Sequence, residues 1–317
     1  MAAAPTPNAA AIACWRTKPK ILLINVPNAT IPAITASERE DFLISDTNSH
    51  KLDQDFNYLN LMTADFIYQY PTLYPGILLK RYKRFFADIE LATGQVITAH
   101  CANTGPMTGV STPGSLVQVS LSNNPKRKLA YTWEMIQVND TEPTWVGINT
   151  ALPNQVIKLA LEKRLFPQLG NYSQIRHEVG YGVDKSSRVD FLLTGSEADK
   201  PIYLEVKNTT WAKSPVALFP DTVTTRGQKH LRELMALLPS ARAVMLYLIN
   251  RGDCTHFAPG DSADLVYGEL LREAYAEGLE VLPVRFEVTP GGIRYKGLAE
   301  LIPSMSALFI NGASNLC

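Results

Sequence analysis

The chain has 317 residues, with 30 Lys plus Arg against 30 Asp plus Glu and a hydrophobic fraction of 46%. That length suits two domains, because single cores rarely grow beyond roughly 250–300 residues, and the apolar content excludes wholesale disorder. A formal net charge of zero excludes nucleic-acid binding driven by overall charge, so any such binding needs a local basic patch.

Residues 1–76 read as an irregular leader. Ala, Pro and Asn are frequent at first, and the polar run SDTNSHKLDQDFN then shows no clear periodicity. The start MAAAPTPNAAAIACW has no early Lys or Arg and makes a poor secretory signal. No acid precedes Glu38, which leaves an organelle transit peptide open, but Arg16 is the only arginine there. Met62 offers an alternative start, with residues 1–61 an overlong gene reading. No apolar run reaches the roughly 18 residues that span a bilayer, so no membrane segment is expected. Cys14, Cys101, Cys254 and Cys317 are far apart and form no CxxC pair. They read as free thiols of a cytoplasmic protein, without a zinc site or a disulfide framework.

Residues 77–150 are dominated by short strands. LLKRYKRFFADIEL reads as one strand, ending at the turn Ala92-Thr93-Gly94. QVITAHC, SLVQVSLS, LAYTWEMIQV and TWVGIN follow, broken by Gly, Pro and Asn. That pattern predicts a small barrel. In its first strand Lys80, Arg81, Lys83 and Arg84 are interleaved with Tyr82, Phe85 and Phe86. Cations neutralise phosphates and aromatic rings stack on bases, so this is a candidate nucleic-acid surface. The plainer alternative puts at least one phenylalanine in the barrel core and the cations on its rim. Lys126-Arg127-Lys128, in a loop, adds to the basic character.

Residues 151–303 alternate strands and helices, and 304–317 form a tail. After Pro153, QVIKLALEKRL is a helix with Ile157, Leu161 and Leu165 on one face. RVDFLL and IYLEV are buried strands. RGQKHLRELMALL is an amphipathic helix that Thr224 or Thr225 can cap. Leu231, Leu234, Met235 and Leu238 form its apolar face, and Arg226, Lys229 and His230 a polar one. ARAVMLYLIN, SADLVYGELLREAYAEG and LEVLPVRFEV complete an α/β layer on a mixed sheet.

The chemistry centres on Asp190, Glu205 and Lys207. Strand side chains alternate, so Glu205 and Lys207 share a face while Val206 points into the core. If the two strands are neighbours, Asp190 sits beside Glu205. Paired carboxylates make a hard-oxygen site for Mg²⁺, and a nearby lysine orients water or stabilises charge on phosphate. The spacing is that of the D-x(n)-E-x-K nucleases. Alone it equally describes a charged strand end with an ordinary salt bridge. Arg226, Lys229 and His230 either approach DNA phosphates or form a solvated helix face. Glu178 is either a further carboxylate or a strand-end residue.

The blocks RYKRFFADIEL, HCANTGPMTG, TPGSLV, KRKLAYTWEM, VNDTEPTWVGINT, SRVDFLL, YLEVKNTT and FPDTVTTRGQKHLREL resemble, in order, those of the sugar fermentation stimulation protein A family. The resemblance runs from about Gly76 to Pro303. It implies an α+β or α/β fold class: an N-terminal OB-like β-barrel plus a restriction-endonuclease-like, PD-(D/E)xK mixed-sheet domain. It also implies non-specific DNA binding and a regulatory role in sugar utilisation, with an Mg²⁺-dependent nuclease as the alternative. Asp190, Glu205 and Lys207 match the nuclease-type positions. Arg226 and His230 match the RGQKHL block. Ala102 stands where the family pattern has proline, and the leader before Met62 has no counterpart in it.

Overall fold

The structure is a computed structural model, and it describes residues 66–182, 187–195 and 200–302. Most of the expected leader, including the alternative start Met62, and the tail 304–317 lie outside the described residues. The leader's last stretch is already regular. Strand β1 spans Phe66–Tyr68 and β2 spans Leu73–Tyr82, so the irregular segment does not extend to residue 76.

Strands β2, β3 (Phe86–Leu91), β4 (Val96–His100), β5 (Leu116–Leu121), β6 (Tyr131–Asn139) and β7 (Pro143–Gly147) form a six-stranded sheet ordered β4-β3-β2-β5-β6-β7. A further pairing of His100 with Thr132 joins β4 to β6 and closes it into a barrel. Period-2 alternation supplies its core: Leu78, Ile89, Val119, Trp133 and Ile136 are fully buried together.

LLKRYKRFFADIEL is two strands rather than one. It folds back at 83–85, where Lys83 and Arg84 adopt φ of +47° and +63°. Tyr82 then pairs with Phe86 across a hairpin. Left-handed backbone is costly for residues other than Gly, Asn or Asp, so no usual turn residue announced the reversal. The antiparallel β2–β3 ladder and an Arg81 bond to the Arg84 carbonyl (3.3 Å) hold it.

Helix α1 (Pro153–Glu162) leads into the second half, with Pro in its first turn where no N–H is needed. Then come β8 (Gln174–Tyr181), β9 (Ser187–Thr194), β10 (Ile202–Thr209), β11 (Ala212–Lys213), β12 (Val216–Phe219) and α2 (Thr225–Met235). β13 (Arg242–Ile249), β14 (His256–Pro259), α3 (Leu265–Ala276), β15 (Glu280–Thr289), β16 (Gly292–Leu298) and β17 (Glu300–Leu301) complete the chain. A seven-stranded mixed sheet runs β1-β16-β15-β13-β10-β9-β8, parallel only at β10–β13 and β13–β15. A small sheet, β11-β12-β14-β17, lies beside it.

Apolar layers cover both faces of the large sheet. Ile157 and Leu161 of α1 pack with Leu204, Val206 and Leu246 on one face. Leu231 and Leu234 of α2 and Leu271 of α3 pack with Met245 and Tyr247 on the other. Leu165 packs against the α1 layer, but from beyond the helix end, because Arg164 turns the chain at φ +56°.

The two halves are clasped together. The Gly147 amide donates to the Asn250 carbonyl (3.0 Å), and Asn250 Nδ2 donates to the Gly147 carbonyl (2.9 Å). A Cβ on Gly147 would lie 2.5 Å from Asn250 Oδ1, so only glycine fits. Next to it Arg251, 2% exposed, donates to Asp140 (2.6 Å) from the β6–β7 turn and to both oxygens of Asp253 (2.7 Å each).

Cys101 and Cys254 are buried free thiols. Burial pushes both upward from the ordinary thiol range, Cys254 to about 12, which leaves them unreactive. No helix among the described residues is long and apolar enough to cross a membrane.

Candidate functional site

β9 and β10 are antiparallel neighbours, with Leu193 opposite Ile202 and Phe191 opposite Leu204. Continuing that register puts Asp190 across from Glu205, the arrangement expected if the two strands were neighbours. The ladder stops there because the Asp190 carboxylate takes over one of its bonds. Asp190 Oδ2 accepts from the Val206 amide at 2.7 Å, and Oδ1 accepts from Asn154 Nδ2 of α1 at 2.8 Å.

Glu205 is 4% exposed and faces α2. Its Oε1 accepts from Lys207 Nζ at 2.8 Å and meets His230 Nδ1 at 2.5 Å. Arg226 Nε donates to His230 Nε2 at 3.4 Å, so Nδ1 carries the hydrogen shared with Glu205. Val206 is buried in the opposite layer, as strand alternation predicts.

Glu205 Oε2 is buried and has no hydrogen-bond partner among the described residues. An ionised oxygen without a donor is costly in the interior, and a cation beside it removes the cost. Among the described residues no three of His, Cys, Asp and Glu come together as a metal-binding group. Two carboxylates with a strand carbonyl suit a hard divalent cation that keeps several waters, and do not make a closed zinc-type cage.

The environments push the two acids apart. Burial, and then the negative charge of Glu205, raise the Asp190 carboxyl above its ordinary range. Burial also disfavours the Glu205 carboxylate, but the His230 hydrogen bond and the Lys207 charge outweigh it and hold Glu205 below that range.

A cleft of about 560 Å³ opens over these groups. Asp190, Glu205, Lys207, Asn154 and Arg226 line it. Glu178 also lines it, in line with Asp190 on the outer strand, at φ +47°. Its carboxylate is exposed and lies 3.7 Å from Arg188.

The polar face expected on α2 is split. Thr224 caps the helix, its side chain accepting from the Gly227 amide at 3.1 Å. Arg226 and Lys229 are exposed, and with Ser187 and Arg188 they line a second groove. His230 is 3% exposed and is used internally by Glu205. His230 still borders the groove of Arg226 and Lys229, but nearly all of its surface is turned inward. Thr224→Ala leaves the Gly227 amide uncapped and is expected to cost about 1 kcal/mol, read by urea unfolding. An unchanged midpoint would reassign the cap.

The basic barrel run is divided as well. Arg81 is committed to the carbonyls of Asn103 (3.0 Å) and Gly105 (2.8 Å), so it ties down a loop and is not a phosphate ligand. Lys80 pairs with Asp88 at 3.3 Å. Lys83 and Arg84 are exposed at the hairpin tip beside Phe85, which is 48% exposed. Phe86 stacks on Tyr82 with ring centroids 5.4 Å apart, and neither phenylalanine belongs to the barrel core. Phe85, Phe86, His100, Arg127 and Lys128 line an open groove of about 370 Å³. Sequence reasoning did not single out Asn154, the inward turn of His230, or the commitment of Arg81. Each depends on a distant chain segment that leaves no local signal.

Residues 151–292 match the family described as the sugar fermentation stimulation protein RE domain, and residues 79–148 match the SfsA N-terminal OB domain. The sugar fermentation stimulation protein homolog of Trichormus variabilis is 75% identical over 238 residues, covering 75% of this chain and 99% of that protein. The homolog of Nostoc punctiforme is 72% identical over 237 residues, covering 75% and 98%. A solved structure of Pyrococcus furiosus SfsA in complex with Ca²⁺ superposes with a TM-score of 0.67 at 25% identity, covering 75% of this chain and 99% of that one. By sequence and by fold, an OB-like barrel joined to a mixed-sheet α/β domain, this chain belongs to the sugar fermentation stimulation protein family.

Proposed function

We propose that this protein binds DNA without sequence preference and cleaves its backbone at a divalent-cation site built on Asp190, Glu205 and Lys207. The observation that carries this reading is the buried, unpartnered Glu205 Oε2 on the strand next to Asp190, with Lys207 Nζ 2.8 Å from the same carboxylate. The Ca²⁺ complex of the Pyrococcus furiosus relative supports a divalent ion, and we name Mg²⁺ as the working one.

Asp190, Glu205 and the Val206 carbonyl would hold the cation. When bound, it supplies a water of lowered pKa and neutralises charge on the phosphate. The protein's own groups prepare the rest. Asn154 and the Val206 amide fix the Asp190 carboxylate. His230 fixes Glu205, and Arg226 fixes the His230 tautomer. Lys207 orients the attacking water and offsets negative charge as the phosphate is attacked. Lys83, Arg84, Arg127 and Lys128 contact the DNA backbone, and Phe85 offers a stacking surface. We place this activity in the cytoplasm, in keeping with buried, free thiols.

Labelled single- and double-stranded DNA incubated with the protein in Mg²⁺ or Mn²⁺, beside an EDTA control, tests the cutting. Binding with no cleavage under any metal would remove it and leave a DNA-binding protein that does not cut. The interface has its own test. Replacing Lys83 and Arg84 with Ala is expected to lower the slope of log K against log salt by roughly 2 on duplex DNA. An unchanged slope would move the interface elsewhere.

A further inference from the structure

Beside the carboxylate cleft lies a smaller cavity of about 100 Å³, on the seam between the barrel and the α/β domain. Asn103 comes from the barrel, and Asn208, Thr209, Trp211, Phe219 and Asp221 from the other half. The cavity shares Thr150, Asn208 and Phe219 with the metal cleft, so the two spaces adjoin.

Its chemistry differs from the cleft's. No Lys or Arg lines it, and Asp221 does, so it repels a phosphate. Two aromatic side chains, amides and hydroxyls suit a neutral planar group that can stack and form hydrogen bonds. The room exceeds that of one water and suits a ring.

One buried polar group here has no partner among the described residues. Thr209 is 1% exposed, and its Oγ1 is buried with no hydrogen bond. Asn208 Oδ1 accepts from Asn250 Nδ2 at 3.1 Å, which fixes the side chain at the cavity wall. Trp211 packs against Gly260, where a Cβ would lie 2.2 Å from the Pro220 carbonyl oxygen and 2.8 Å from Trp211 Cζ3.

We infer that this cavity receives one unpaired nucleobase of the strand whose phosphate lies at the Asp190–Glu205 site, so that the preferred substrate carries unpaired bases. The inference rests on the nucleic-acid reading proposed above. A fully paired duplex must unstack a base to fill the pocket, whereas a bulge or single strand presents one already.

The test uses the full chain in Ca²⁺, to slow cleavage during binding. Two labelled duplexes are compared: one with a single unpaired thymine, and one with an abasic residue at that position. The parent is expected to bind the thymine duplex about 10-fold more tightly, the scale of one base stacked on an aromatic side chain. Trp211→Ala brings the ratio to about 1, and Trp211→Phe keeps most of it. Thr209→Val reduces the ratio several-fold without lowering the melting temperature, because the replacement is isosteric and removes an unpartnered hydroxyl. A parent that binds both duplexes tightly and equally overturns the pocket and leaves DNA binding standing. A parent that binds neither overturns both. A folded Trp211→Ala variant with an unchanged ratio also overturns the pocket, and if that variant does not fold, the Phe and Val variants carry the test.

Discussion

Asp190→Ala is expected to lower metal-dependent DNA cleavage by about 10³-fold or more, while DNA affinity measured in EDTA stays within about twofold of the parent. The carboxylate is one of two anionic arms at the site, and its oxygens are already aimed by Asn154 and the Val206 amide. Removing it leaves Glu205 alone against a cation that prefers carboxylates with waters. At 1.36 kcal/mol per tenfold, the loss corresponds to about 4 kcal/mol of transition-state stabilisation. The barrel cations proposed to contact DNA sit at the β2–β3 hairpin tip and in the β5–β6 loop and are untouched. Asp190→Asn guards against a trivial loss through misfolding, because it keeps the shape and can still accept from the Val206 amide. Cleavage by Asp190→Ala at the parent rate would sink the nuclease reading. Loss of DNA binding along with cleavage would instead place Asp190 in substrate binding.

Arg251→Met is expected to lower unfolding free energy by about 3–5 kcal/mol, the usual cost of stripping one partner from a buried ion pair. Arg251 fills the seam between the halves, and its guanidinium also donates to the Thr210 carbonyl at 3.2 Å. The Asp253 side chain is only 3% exposed, so it has no route to water when the guanidinium is gone. Urea unfolding followed by circular dichroism would measure the loss. A deficit below 1 kcal/mol would mean that the interface relaxes around the cavity.

The same pair sets a pH dependence. Burial works against the Asp253 carboxylate, but the Arg251 hydrogen bonds and charge outweigh it, so the folded pKa lies below the ordinary aspartate value. A depressed carboxyl contributes stability above its unfolded pKa and loses it as pH falls through the folded one. In Arg251→Met the main stabilising partner is gone, and burial is opposed only by a backbone hydrogen bond and the Cys254 thiol. The difference between parent and variant is therefore expected to be widest near neutral pH and to shrink in acid. A constant difference across that range would show that packing, not charge, makes the clasp.

Much of this protein is legible along the chain. Period-2 runs such as LVQVSL and the continuous apolar run RAVMLYLI mark their strands, because burial on one face or on both leaves its own periodicity. The apolar spacing of α2 places Leu231 and Leu234 correctly. Alternation within YLEVKN sets Glu205 and Lys207 on one face and Val206 on the other, since side-chain direction in a strand is a local property. The acid–acid–lysine pattern and the family blocks are equally local.

What needed the tertiary structure depends on contacts between distant segments. Asn154 reaches Asp190 across 36 positions, and His230 reaches Glu205 across 25. No periodicity encodes which residue of an amphipathic helix will turn inward, and so His230, placed by spacing on a polar face, became a buried partner of the Glu205 carboxylate. The basic strand was a hairpin because Lys83 and Arg84 take left-handed backbone that tertiary pairing supports and residue type does not announce. Arg81 is held by carbonyls 22 and 24 residues away, which the basic run itself does not announce. Sequence determined which side chains share a strand or helix face. The fold decided which of them meet, because strand order, helix rotation and loop closure are properties of the whole chain.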